Sequence, residues 1–289
     1  MLKTFPAKVL LFGEYTILNG SRALALPYSA FFGRWSFDNT PSEARDLSRK
    51  SIAGFIKESS DKNLDLLQMT SDMEKGLWFD SSIPHGFGLG SSGALIAAIY
   101  QQYGKVSNNL IEDKESLARL EDYFHGSSSG LDPLVSHIQR PLLIHSFSKV
   151  DILDRPLNLK GFFLLNTGRP RQTGPLVSIY EEKMKDPQFK QGCAEILAKD
   201  VNFAIESLLN NDQAHLAHHL WHISKFQWDF FPEMIPTQMR GLWSRGLETN
   251  DFILKLCGAG GGGFLLGYSQ KFSINELRQI IDTHEIFEL

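Results

Sequence analysis

Apolar residues in this chain fall into short blocks set off by glycines and polar breaks, and the spacing within the blocks changes along its length. Lys8-Val9-Leu10-Leu11-Phe12 is a run that stops at Gly13, the pattern of a buried strand. The turn signal Asn19-Gly20 precedes a second apolar run over 22–26, so the two blocks predict a hairpin, with a further strand over 31–37. Residues 38–75 are polar and mixed and predict little beyond a helix over 48–58. Apolar residues then take helical spacing over 92–103 and 114–124, and another helix is expected after Gly130. Strands are expected over 142–145 and 161–166, with the charged, Pro156-containing segment 151–159 as the crossover between an N-terminal domain, 1–150, and a C-terminal one, 151–289. Helical patterns follow over 175–185, 190–210, 212–226 and 236–247. Strands over 252–256 and 264–268 flank a glycine run, and Ser273-Ile274-Asn275-Glu276 has the form of a helix capping box. Strand-rich and helix-rich stretches thus alternate in blocks, which predicts an α+β fold in preference to a doubly wound sheet.

Composition narrows the function classes. A chain of 289 residues with 42% hydrophobic and 21% charged residues can bury a substantial core. Its net charge of −4 gives no general attraction for nucleic acid or an anionic membrane, so an anionic substrate has to be held by local charges and backbone dipoles. No apolar run approaches the roughly 20 residues that span a bilayer, and Met1 to Pro6 lacks the apolar core of a signal peptide. Cys193 and Cys257 are the only cysteines, which argues against a disulfide framework and for a cytoplasmic location.

Three clusters carry candidate chemistry. Pro84-His85-Gly86-Phe87-Gly88-Leu89-Gly90-Ser91-Ser92-Gly93-Ala94 is a glycine loop feeding a helix, without the lysine of the common nucleotide loop and without a recognisable strand before it. It suits a phosphate, because free N–H groups and the positive end of a helix dipole meet there; the alternative is a turn leading into a core helix. Gly258-Ala259-Gly260-Gly261-Gly262-Gly263 lies between two apolar strands, where close backbone approach to a ligand or to the first loop explains it better than a wide hairpin turn. Glu121 and Asp132 flank the small-residue segment 126–131; one carboxylate could hold a metal while the other takes a proton. Asp132-Pro133 also fits a simple helix N-cap followed by proline.

Taken together, the clusters resemble the three ordered motifs of the GHMP kinase superfamily. The first motif resembles residues 7–15, from Ala7 through Lys8 to Gly13-Glu14-Tyr15; the second resembles 84–94; the third resembles Lys255-Leu256-Cys257-Gly258-Ala259-Gly260-Gly261-Gly262. Within the superfamily the acidic segment is most similar to that of mevalonate kinases, with Glu121, His125-Gly126 and Ser129-Gly130-Leu131-Asp132 in step, including the interval between the carboxylates. The resemblance implies a two-domain α+β fold with the active site in the interdomain cleft. It implies Asp132 and Lys8 as catalytic residues, and Pro84, Gly86, Gly88, Leu89, Gly90, Ser91, Ser92 and Gly93 as the ATP-phosphate loop. It further implies Gly258, Ala259, Gly260 and Gly261 as a second nucleotide-side motif and Ser92 and Glu121 as Mg²⁺ ligands. Glu14, Tyr15, Arg169, Arg171 and Thr173 are the expected acceptor-side residues. The implied partners are ATP and a small hydroxylated carboxylic acid such as mevalonate, with no nucleic acid and no membrane, and a homodimer as a candidate assembly. Tyr15 replaces the usual histidine and points toward phosphomevalonate kinases, and Cys257 replaces the usual threonine. These departures leave the acceptor open among mevalonate, phosphomevalonate and other alcohols; a non-catalytic metabolite-binding protein on the same scaffold is the reading from another class.

Two further features stand outside these motifs. His215, His218, His219 and His222 share one face of a predicted helix and read as a polar face before they read as a zinc site. Trp228, Phe230, Phe231 and Trp243 read as core or helix packing before they read as an acceptor pocket.

Overall fold

The computed structural model describes residues 3–107, 109–171 and 173–289, with Thr173 described by its backbone alone. Strand β1 (Thr4–Phe12) pairs antiparallel with β2 (Ala23–Phe37), Val9 opposite Leu26 and Thr4 opposite Arg34. Their register shifts between Pro6 and Ala7, where proline has no N–H to give to the ladder. The two strands form the expected pair, although a 3₁₀ turn over Thr16–Asn19 lengthens the connection. The separate strand expected over 31–37 is the far half of β2.

The uninformative polar stretch folds into α1 (Glu43–Glu58), whose first turn is capped by Ser42, and α2 (Leu66–Glu74), capped by Asp65. Strand β3 (Leu77–Ser81) follows and pairs with the end of β2. The glycine loop is therefore preceded by a strand, contrary to the sequence reading; with five residues and one apolar face, β3 leaves too little pattern to detect. Helices α3 (Ser91–Tyr103), α4 (Leu110–His125) and α5 (Leu131–Ile138) come next, then β4 (Leu142–Ser146) and β5 (Lys149–Ile152). β4 pairs with the start of β2 and β5 with β4, completing a five-stranded sheet. Ala94 through Tyr100 of α3 are buried all round, because the helix lies between this sheet and α4 and α5.

Residue 150 lies within β5, and the chain leaves the first sheet through 153–161. β6 (Phe162–Asn166) opens the second sheet. It is followed by α6 (Thr173–Lys183), α7 (Pro187–Gly192), a π-helical turn over Cys193–Leu197, and α8 (Ala198–Leu209), so the helix expected over 190–210 is continuous in direction but changes hydrogen-bond pattern. Then come α9 (Gln213–Phe230), α10 (Arg240–Thr249), β7 (Ile253–Leu256), β8 (Phe264–Tyr268), α11 (Ile274–Ile280) with the expected Ser273/Glu276 capping box, and β9 (Ile286–Glu288). The second sheet runs β7-β8-β6-β9, all antiparallel. The architecture is α+β, as the block pattern predicts. Aromatic rings join the two sheets: Phe12 meets Phe162 edge-on at 6.4 Å, and Phe31 packs on Phe264 and Phe287. Among the described residues no helix is long and apolar enough to cross a membrane.

Candidate active site

Asp132 lies in the first turn of α5, whose N-cap is Gly130, so the simple N-cap role for Asp132 does not hold. Its carboxylate instead meets the Lys8 ammonium at 2.7 Å. Lys8 projects from the buried strand β1 with its side chain almost wholly enclosed, while Asp132 stays 40% open. A carboxylate held this way is oriented by its partner and still reachable. Gly93 makes the approach feasible: a Cβ there would come within 2.9 Å of the Asp132 carbonyl carbon and the Pro133 nitrogen. The Lys8 N–H donates to the Leu89 carbonyl at 2.8 Å, so the same strand fixes the glycine loop.

Ser92, in the first turn of α3, faces two side chains of α4. Its hydroxyl oxygen is 3.2 Å from Glu121 Oε1 and 2.9 Å from His125 Nε2. Ser128 donates to the other Glu121 oxygen. Burial, reinforced by the Asp132 charge, pushes the Glu121 carboxyl up to about 7, against the pull of the serine hydrogen bonds and Lys8. A buried carboxylate with a second carboxylate near it is a site short of positive charge. A divalent cation sharing Ser92 and Glu121 with nucleotide oxygens fits that shortage, since Mg²⁺ takes one or two carboxylates and completes its shell elsewhere. No set of three or more His, Cys, Asp or Glu side chains among the described residues is placed to hold a metal alone.

The two glycine clusters meet. Gly263 has a left-handed backbone, φ 70°, and a Cβ there would come within 2.3 Å of the Phe87 carbonyl oxygen in the first loop. The segment 166–171 threads between them: Thr167 donates to the Gly263 carbonyl, Gly263 N–H to Arg169, and Arg171 N–H to Gly86. The Arg171 guanidinium donates to the Cys257 carbonyl at 2.8 Å and lies against Gly88 and Gly258.

These features have counterparts in known proteins. Residues 51–137, from α1 through the glycine loop to α5, match the family model described as the GHMP kinases N terminal domain. The chain is 28% identical to the mevalonate kinase of Pyrococcus horikoshii, over 91% of this chain and 87% of that one. Its fold matches the crystal structure of the Methanococcus jannaschii mevalonate kinase with a TM-score of 0.67 at 19% identity, covering 99% of this chain and 96% of that one. It also matches the Streptococcus pneumoniae phosphomevalonate kinase, with a TM-score of 0.65 at 16% identity over 99% and 98% of the two chains. Residues 51–137 thus match a GHMP kinase domain, and the whole chain is similar to GHMP kinases, mevalonate kinases among them. That likeness supports a phosphotransferase with an alcohol acceptor and ATP as co-substrate.

The acceptor-side expectations divide. Arg169 is exposed, and Arg171 stands between the glycine loops. Tyr15, with a left-handed backbone at φ 61°, stacks on Tyr180 and donates to the Ala259 carbonyl at 2.8 Å. Glu14 is buried and ion-paired with Lys255, whose ammonium also donates to the Leu11 and Leu256 carbonyls. Its carboxylate thus faces the protein interior and not an open acceptor site. Thr173 is described by its backbone, and its side chain lies outside the described atoms.

Sequence reasoning gave no role to His125 or Lys255, although both stand in the quoted motifs; their partners are remote in sequence. The histidine face of α9 is tied to acids: His215 pairs with Asp212, and His219 and His222 share Asp200. Phe231 and Trp243 are buried core, whereas Phe230 is partly exposed.

Proposed function

We propose that this protein is a GHMP kinase that transfers the γ-phosphate of ATP to the primary hydroxyl of mevalonate with Mg²⁺ bound at Ser92 and Glu121. The observation that carries the reading is the Lys8–Asp132 contact of 2.7 Å beside the glycine loop, because it places an oriented carboxylate where the phosphate donor would end. The name shared by the curated relatives supports the acceptor.

In this reading the N–H groups at the start of α3 and the loop 84–93 receive the ATP phosphates. The cation, when bound, neutralises charge on the phosphate oxygens. Asp132 accepts the hydroxyl proton as that oxygen bonds to the γ-phosphorus and the bridge to ADP breaks. Lys8 orients Asp132 through their contact and offsets charge on the transferred group. Arg171, lying against both glycine clusters, faces the phosphates or the acceptor carboxylate, where its planar donors suit either anion. Gly258 to Gly261 close the nucleotide side, and Arg169, Tyr15 and Thr173 flank the acceptor. Glu14 acts by positioning this region through Lys255. The N-terminal domain carries the first sheet and the C-terminal domain the second, with the site between them.

Phosphomevalonate is the second reading, favoured by Tyr15 and the fold match to a phosphomevalonate kinase. A coupled ADP-release assay with mevalonate and with 5-phosphomevalonate separates them. The proposal expects turnover on mevalonate at least about 100-fold above the phosphorylated acceptor, because a site matched to the smaller acceptor has to house and neutralise an added dianion. Preference for 5-phosphomevalonate overturns the acceptor assignment, and nucleotide binding without ADP release on either acceptor overturns the kinase assignment.

A further inference from the structure

The Ser92 hydroxyl has one proton and two neighbours able to take it, Glu121 Oε1 at 3.2 Å and His125 Nε2 at 2.9 Å. The choice matters for a cation site. A hydroxyl that donates to Glu121 spends a carboxylate lone pair that a cation needs, and the other Glu121 oxygen already accepts from Ser128. A hydroxyl that donates to His125 leaves Oε1 free and turns the Ser92 lone pairs toward the same space. His125 is suited to the task by position: it is the last residue of α4, one turn beyond Glu121 on the same face, and Gly126 ends the helix in the left-handed conformation just after it.

We propose that His125 is a positioning residue of the cation site, its Nε2 holding the Ser92 hydroxyl so that Ser92 Oγ and Glu121 Oε1 are both presented to the divalent ion. The inference rests on the reading of Ser92 and Glu121 as cation ligands. It assigns His125 no contact with substrate and no proton transfer. Outer partners that orient a metal ligand typically change metal affinity 10- to 100-fold when removed, which sets the size of effect to look for.

The test is a Mn²⁺ titration followed by electron paramagnetic resonance, on the full chain with a non-hydrolysable ATP analogue. The variants are His125→Leu, His125→Gln, Ser92→Ala and Glu121→Gln, with metal-free nucleotide binding and thermal melting measured alongside. The side-chain oxygen of glutamine can accept the serine hydrogen bond; leucine cannot. The expected result is a loss of Mn²⁺ affinity of about tenfold or more in His125→Leu, recovery to within about threefold in His125→Gln, and unchanged metal-free nucleotide binding in both. Native Mn²⁺ affinity in His125→Leu, beside losses in Ser92→Ala and Glu121→Gln, overturns the inference and leaves the cation ligands standing. A loss that glutamine does not restore, or one matched in metal-free nucleotide binding, overturns it as well. Native Mn²⁺ affinity in both Ser92→Ala and Glu121→Gln removes the cation reading itself.

Discussion

The Glu121 carboxyl, held at about 7 by burial and by Asp132, sits above its ordinary value of 4.5. The folded protein therefore binds this proton more tightly than the unfolded chain does. The contribution to stability is full below about pH 4.5 and is lost as pH rises through 7. Glu121→Gln removes the buried charge. We predict that the cation-free variant is more stable than the native protein at pH 8, by on the order of 1–3 kcal/mol, and that the advantage is gone by pH 4. Urea unfolding at the two pH values checks it; an equal difference at both would show that ionisation is not the cause. For Asp132→Asn the expected outcome is a fall in kcat of about 10²–10⁴-fold with ATP-analogue binding unchanged, because the amide cannot accept the hydroxyl proton. Near-normal turnover would end the assignment. At this scale the sequence named Lys8, Ser92, Glu121 and Asp132 through motif resemblance. It could not reveal that His125 touches Ser92, or that Glu121 is buried, because both follow from how α3 and α4 pack.

The start of α3 and the start of α5 are held together by the absence of a side chain at Gly93. Any Cβ there meets backbone atoms of Asp132 and Pro133 at 2.9 Å, and backbone cannot rotate out of the way. Gly93→Val is predicted to cost about 1–3 kcal/mol as overpacking and, by moving Asp132 away from the glycine loop, to lower kcat by about 100-fold. Denaturant unfolding and steady-state kinetics measure the two effects, and native kcat in a folded Gly93→Val protein would show that the close approach is not needed for turnover. Periodicity located α3, α9 and the paired strands β1 and β2 because each has a long apolar face or run. It missed β3, β5 and β9, which are short, and it divided β2, whose far half changes partner from β1 to β3.

Across the whole molecule, the end of β1 is fastened to the third motif by the Glu14–Lys255 pair, both side chains 1% exposed, and by Tyr15 donating to Ala259. Burial opposes the Glu14 charge and the Lys255 ammonium answers it. Lys255→Met strands that carboxylate and is predicted to cost about 3–5 kcal/mol, whereas Lys255→Met with Glu14→Gln costs less than the single change. A double-mutant cycle by urea unfolding measures this. Additive losses would mean that the pair does not act as a unit.

The chain by itself determined the α+β class and the order of the three motifs, because apolar spacing and glycine placement are local properties, and motif resemblance supplied the candidate residues for phosphoryl transfer. Only the tertiary structure decided which of those residues meet. It set Lys8 on Asp132, turned Glu14 inward to Lys255, brought the two glycine clusters into contact and placed His125 beside Ser92. Each of these contacts joins residues far apart in the chain, and such contacts are fixed by how helices and sheets pack, which no local pattern encodes.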